Sequence, residues 1–327
     1  MSVTEPAPVT EAAAPRKRIN VNQLRQFALI AALLLVVIVF AFASEHFLTV
    51  SNLMNVVRQM AVTAIVAVGM TFVIITGGID LSVGSIVAVS GVIAASVLAA
   101  TGSPLLAVVA GLGVGLIAGT VNGFVTAKFR IAGFITTLAA MQAFRGLGYI
   151  YTNGSPIPAQ DPRFTVLGVG YFLGVPVPVW IMAVAVAAGA VILRKTKFGR
   201  YTYAVGGNEV AARWTGLPVA KVVAGVYVMT GALSGLAGVI LTARLGSGQP
   251  SMGTGLELDA IAAVVLGGTS LAGGRGKISG TVIGCILVAV LSNGLTLLNV
   301  SSYWQMVVKG LIIVLAVILD TRIRSNS

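Results

Sequence analysis

The sequence predicts an all-α polytopic membrane protein of about ten transmembrane helices, some broken or half helices, with both termini cytoplasmic. Two features of composition and one of pattern carry that expectation. Hydrophobic residues make up 57% of the 327-residue chain and charged residues only 9%, whereas a soluble domain needs roughly 25% charged residues to solvate its surface. The apolar residues gather into runs close to the ~20 residues that a helix needs to cross a hydrocarbon core. Lysine and arginine lie between these runs rather than on one element, so the net charge of +12 marks cytoplasmic loops and not a nucleic-acid footprint.

From the N-terminus, residues 1–25 are polar, Pro/Ala-rich and basic at Arg16, Lys17 and Arg18, the composition of a disordered cytoplasmic tail. The run at 27–43 exceeds the roughly 7–15 apolar residues of a cleaved signal, and is expected to remain as the first span. Spans are expected near 26–43, 53–76, 80–100, 104–127, 131–152, 175–193, 221–243, 257–272, 278–298 and 302–320. The run at 257–272 is short for a full crossing. The membrane domain therefore covers 26–320, with a short cytoplasmic tail at 321–327. Glycine recurs inside the runs, as in GLGVGLIAGTVNG at 111–123. Small residues let helix backbones approach closely in lipid, so a tight bundle is expected.

With the N-terminus inside, the clusters at 16–25, 128–130, 194–200, 213–221, 275–277 and 322–324 are all cytoplasmic. They hold 16 of the 21 basic residues, and even numbers of spans separate them. Two connecting loops are long enough to suggest function: the Pro/Gly-rich extracytoplasmic segment 153–174 and the cytoplasmic segment 194–220.

In the second of these, Asn208 is placed to cap a short helix, EVAARWTG. Glu209 and Arg213 stand four apart with the acid first, the favourable order. Ala211, Ala212 and Gly216 would keep its surface low enough to enter a partner's cleft, the alternative being an ordinary surface helix. No catalytic constellation is evident. GRGKIS at 274–279 fails as a phosphate-binding loop, because Leu271 stands where the first glycine belongs and Ile278 where Ser or Thr must hold magnesium. The lone Cys285 excludes an intrachain disulfide and a Cys-rich metal site, and His46 is expected at a membrane interface.

The stretch TGGIDLSVGS at 76–85 joins two apolar runs and holds Asp80, one of only nine acidic residues. Gly77 and Gly78 would interrupt one helix, and Asp80 or Ser82 would cap the next, with Ser85 in its first turn. Such breaks at membrane depth serve transport pathways; a capped turn near the cytoplasmic surface is the alternative. LGGTSLAGGRG at 266–276 partly repeats the pattern, with Thr269 and Ser270 in place of Ile79 and Asp80. Glu257 and Asp259 are expected to cap the eighth run. Gln142, Asn293, Asn299 and Gln305 lie within spans or at their ends, where polar residues line pathways or bond helices together.

Five stretches, AVGMTFVIITGGIDLSVGSIVA, TLAAMQAFRGLGYIYTNGSPIP, GRYTYAVGGNEVAARWTGLPVAKV, ELDAIAAVVLGGTSLAGGRGKISGTVIG and SSYWQMVVKG, resemble the ribose-type permeases of bacterial ABC importers. The likeness runs from about residue 45 to 320. It implies an inner-membrane subunit paired with a second copy of itself, a periplasmic sugar-binding protein outside and a cytoplasmic ABC ATPase inside. The resemblance implies no cofactor in this chain, ATP being bound by the partner, and no catalytic role of its own. The segment with Asn208, Glu209, Ala211, Ala212, Arg213 and Gly216 is similar to the coupling helix that such permeases insert into the ATPase. The family's E-A-A pattern stands here as EVAA, one residue longer. A monosaccharide substrate is implied, ribose first, with other pentoses, galactose-like hexoses, inositol or a furanose signalling molecule behind it. The alternative is an ion-coupled secondary sugar transporter with Asp80 as its titrating group.

Overall fold

Apolar length and local capping set most of the helix limits. The computed structural model describes residues 21–325, and a helix covers each of the ten apolar runs. In chain order these begin with α1 (Val21–Ala43), α2 (Val50–Ile75), α3 (Val83–Thr101), α4 (Pro104–Phe129) and α5 (Gly133–Thr152). The extracytoplasmic loop holds β1 (Ile157–Pro158), α6 (Pro162–Val169), β2 (Tyr171–Phe172) and β3 (Val175–Pro176). There follow α7 (Val177–Lys195), α8 (Lys197–Gly207), α9 (Glu209–Trp214), α10 (Val219–Leu245), β4 (Ser247–Gly248), α11 (Leu256–Leu266), α12 (Ile278–Leu297) and α13 (Ser302–Ser325). The two short ladders pair β1 with β4 and β2 with β3, both antiparallel.

Among the described helices, α2, α3, α4, α7, α10 and α12 are long and apolar enough to cross a membrane. With 11 residues, α11 rises only about 16 Å and is a half helix. Residues 1–20, most of the expected N-terminal tail, lie outside the described residues. Helix extends beyond both expected limits of the membrane domain, since α1 starts at Val21 and α13 ends at Ser325.

Helix starts follow side-chain chemistry. Thr49, Ser103, Asp161, Thr196 and Asn208 each accept a backbone N–H of the helix that they open, and Pro104 and Pro162 occupy first-turn positions that need no donor.

The centre of the bundle is α2, buried continuously from Met60 to Ile75 apart from Thr63, with α3, α4 and α10 around it. In α4, Gly111, Gly115, Gly119 and Gly123 recur every fourth residue and form one face. They lie against Gly231, Gly235 and Ala224 of α10, and a Cβ at Gly115 would collide with the Gly231 carbonyl. The expected close approach of backbones is therefore concentrated in one helix pair. On the other side α11 and α12 pack on each other and on α2; α1 and α13 lie outside them, and α5 leans on α3 and α4. The basic segments at 128–130, 213–221 and 275–277 gather with α9 at one end of the bundle, the cytoplasmic end by the positive-inside bias.

Candidate functional site

At the cytoplasmic end, α9 is a single short helix. The Asn208 side chain caps it by accepting the Ala211 N–H at 2.9 Å, and Glu209 pairs with Arg213 across one turn. Its C-terminus closes through Gly216, whose φ of +78° lets its own N–H reach the Arg213 carbonyl and the Leu217 N–H reach Ala212. Ala212 does not serve a low outer surface. It is 4% exposed and packs inward with Val205, Val219 and Val222, since its position on a two-turn helix faces the bundle. The outward apolar residues are Val210, 60% exposed, and Trp214, 86% exposed, four apart on one face. Sequence reading missed both, as it did the preceding helix α8. The exposed Trp beside a capping signal was the available clue.

The TGGIDLS turn lines the same cleft as this helix. Gly77, at φ +82°, ends α2 with the same pair of bonds, Gly77 N–H to Ile74 and Gly78 N–H to Val73. The second glycine turn repeats it, with Gly268 at φ +88°, its N–H on Val265 and that of Thr269 on Val264. The sequence echo is thus a shared way of ending a helix, and the two turns meet: Gly274 donates to the Ile75 carbonyl at 2.8 Å. Gly206, near the end of α8, rests on the same carbonyl so closely that a Cβ would overlap it.

Asp80 is fully buried, not at the cytoplasmic surface. One carboxylate oxygen accepts both the Ser82 N–H at 2.9 Å and the Ser82 hydroxyl at 2.6 Å, while the other has no hydrogen-bond partner among the described residues. The cap on α3 is therefore Asp80 acting through Ser82; Ser82 itself makes no side-chain cap bond. Ser85 turns back to the Ser82 carbonyl at 2.8 Å. Asn122 of α4 donates to the Ser82 hydroxyl at 2.8 Å, and Thr137 of α5 bridges the Ile79 carbonyl and the Leu81 N–H. Asn122 lies seven residues before the end of α4, about 10 Å along its axis, so the cluster stands inside the bundle and not at its end. Neither partner could be assigned from sequence, because helix contacts choose them.

A cleft of about 960 Å³ opens between these parts, lined by Thr76, Gly77 and Gly78, by Lys128 and Arg130, by Glu209 and Arg213, and by Lys221 and Tyr227. It brings the turn and α9 to one surface. Of the other expected site residues, Gln142 is exposed on α5. Asn293 exchanges two amide hydrogen bonds with Asn52, at 2.9 and 2.8 Å, and so ties α12 to α2 rather than lining a path. Asn299 ends α12 at φ +57°, and Gln305 bonds the chain just beyond it at Val300.

At the opposite end, Asp161 caps α6 and is paired with Arg163 at 2.8 Å; hydrogen bonding to that guanidinium holds its carboxyl below the usual carboxylate range. Arg58 stacks on Tyr171, 5.1 Å from the ring centre. Arg244 lines a second cleft, of about 530 Å³, with Gln160, Thr165 and Gly246. No carboxylate pairs with Arg58 or Arg244 among the described residues.

Residues 52–317 match the family described as branched-chain amino acid transport system / permease component. The chain belongs to this permease family. The matched region contains the glycine turns, the Asp80 cluster and α9. The permease is 50% identical over 303 residues to the ribose import permease protein RbsC of Escherichia coli (strain K12), covering 91% of this chain and 94% of that protein. The corresponding protein of Bacillus subtilis (strain 168) is 48% identical over 310 residues, 94% and 96% of the two chains. The L-arabinose ABC transporter permease protein AraH of Azospirillum brasilense is 39% identical over 318 residues, 97% and 94%. The permease is a multi-pass inner-membrane protein and the membrane subunit of an ABC importer.

Proposed function

We propose that the permease forms the ribose-translocating pathway of an importer, with a second copy of itself, an ABC ATPase on its cytoplasmic end and a periplasmic sugar-binding protein outside. The observation that carries the reading is α9. It presents Val210 and Trp214 outward while its base is joined through Gly206 and Ile75 to the turn that holds Asp80. A partner seated on Val210 and Trp214 would thus press on the start of α3. The ATP is bound by that partner. Outside, the unpaired charges of Arg58 and Arg244 suit an acidic surface on the binding protein. Full-length likeness to a permease named for ribose supports the sugar. No observation favours ion coupling through Asp80.

Reconstitution with the candidate ATPase and binding protein tests the proposal directly. ATP-dependent ribose uptake should exceed that of arabinose and galactose, and a protonophore should not reduce it. Uptake without the ATPase, or loss with the protonophore, would refute the importer reading; preference for another sugar would refute ribose alone.

A further inference from the structure

The segment between α10 and α11 is not helical, yet it runs through the depth of the bundle. It leaves the extracytoplasmic end where Ser247 and Gly248 pair with Pro158 and Ile157. Gly248 then lies against Gly91, Val92 and Ala95 of α3, and Gly253 against Gly84 and Val87. That is a descent of about five to seven residues of α3, roughly 10 Å. The half helix α11 completes the passage to the cytoplasmic end. Glycines in α3 make the approach possible: a Cβ at Gly84 would collide with the Gly253 carbonyl, and one at Gly91 with Met252 and Thr242.

Burial alternates along this segment. Gly248, Pro250 and Met252 are buried against the bundle, Gln249 is half-buried, and Ser251 and Thr254 are exposed. One side chain holds it in place. Arg145 of α5 donates from one nitrogen to the Pro250 carbonyl at 2.8 Å and to the Met252 carbonyl at 2.7 Å. Glu257, opening α11, accepts the Gly255 N–H, and its other carboxylate oxygen is buried without a partner. Gln142, Arg145 and Tyr149 fall three and four apart, on one stripe of α5.

Non-helical backbone at membrane depth persists only where protein buries it or where it lines a water-filled cavity. Here the inner side is buried, and the outer side carries two hydroxyls and an amide. Thr254 donates to the Ser251 carbonyl and Gln249 to the Ser247 hydroxyl, and lipid would not solvate the acceptors that remain or the Ser251 hydroxyl. We infer that Gln249, Ser251 and Thr254, with the α5 stripe Gln142, Arg145 and Tyr149, form a wall of the solute path, and that Arg145 is the residue positioning it. Amide, hydroxyl and phenol groups in this arrangement suit a neutral polyhydroxylated solute, since the arginine is already occupied by carbonyls. The inference rests on the permease reading and deepens it.

Single cysteines test it, in the assembled transporter and with Cys285 replaced by alanine. The probe is a charged, membrane-impermeant methanethiosulfonate, applied to vesicles of both orientations. Cysteines at Ser251 and Thr254 should react from at least one side. A control at Ile117, an exposed apolar position of α4, should react about a hundredfold more slowly, because desolvation in apolar surroundings raises a thiol's pKa by roughly two units. Failure of both Ser251 and Thr254 to react from either side overturns the assignment. Ribose with its binding protein should slow their labelling; labelling that ribose leaves unchanged keeps the path and refutes the sugar. Arg145→Leu, which removes both donors, should change the labelling rate at Ser251 severalfold without affecting Ile117, and Arg145→Lys should restore it in part. An unchanged rate in Arg145→Leu overturns the positioning role.

Discussion

Asp80 separates structural from gating chemistry within one pair of variants. Its bonded oxygen serves two donors, the Ser82 N–H and hydroxyl, and its other oxygen serves none. Asp80→Ala leaves both donors without their acceptor in a fully buried place. Each buried donor left unsatisfied costs about 1–3 kcal/mol. Removing a desolvated carboxylate offsets part of that, so the net loss should be about 2–4 kcal/mol. For a chain of this size 1 kcal/mol shifts a melting midpoint by about 2 °C, so Ala should melt about 4–8 °C lower. Asp80→Asn keeps an oxygen for both donors and can still cap. Its amide replaces the oxygen that had no partner, and Asn122, which donates to the same Ser82 hydroxyl, has an unpartnered carbonyl oxygen of its own. Asn should therefore melt within about 2 °C of the parent, its retained bonds costing little, and should sustain uptake. The assays are thermal size-exclusion melting in detergent and ribose uptake in vesicles. Equal loss of uptake in Asn and Ala, with melting unchanged in both, would defeat the structural cap and assign the charge to gating.

Trp214→Ala combined with Val210→Ala should weaken co-purification of the ATPase at unchanged melting, and undiminished association would sink the docking role of α9. Gly216→Ala should cost about 1–2 kcal/mol, because φ at this position suits only glycine readily, and a silent substitution would contradict the helix ending. Gly231→Val should abolish folded protein by colliding with α4, whereas Gly113→Ala, with open space at its Cβ, should be neutral or stabilising by up to about 1 kcal/mol. A double-mutant cycle on Asn52 and Asn293 should give a coupling near 0.6 kcal/mol and not above about 1.7, the range of such bonds in membranes. Zero coupling would argue against the reciprocal pair.

Much of the fold is legible in the chain. Apolar run length and the spacing of basic residues depend only on local composition, and a helix lies on every run that they marked. The cap at Asn208, the Glu209–Arg213 pair and the glycine ending of α2 are likewise interactions among near neighbours. Gln142 could be seen as polar within a span, but its place on a stripe with Arg145 and Tyr149 gained meaning only beside Pro250 and Met252.

What the sequence by itself determined is the solvent, the all-helical class and the short helix at 209–214, because desolvation and helix capping act on residues close in the chain. The tertiary structure alone decided that Asp80 is buried and linked through Ser82 to Asn122, that Ala212 faces inward, that Asn293 belongs to Asn52, and that 247–255 descends unwound along α3. These depend on which helix faces lie together. That choice is made by steric fit between small residues far apart in sequence, as where Gly84 and Gly91 leave room for a non-helical segment and Arg145 satisfies its carbonyls.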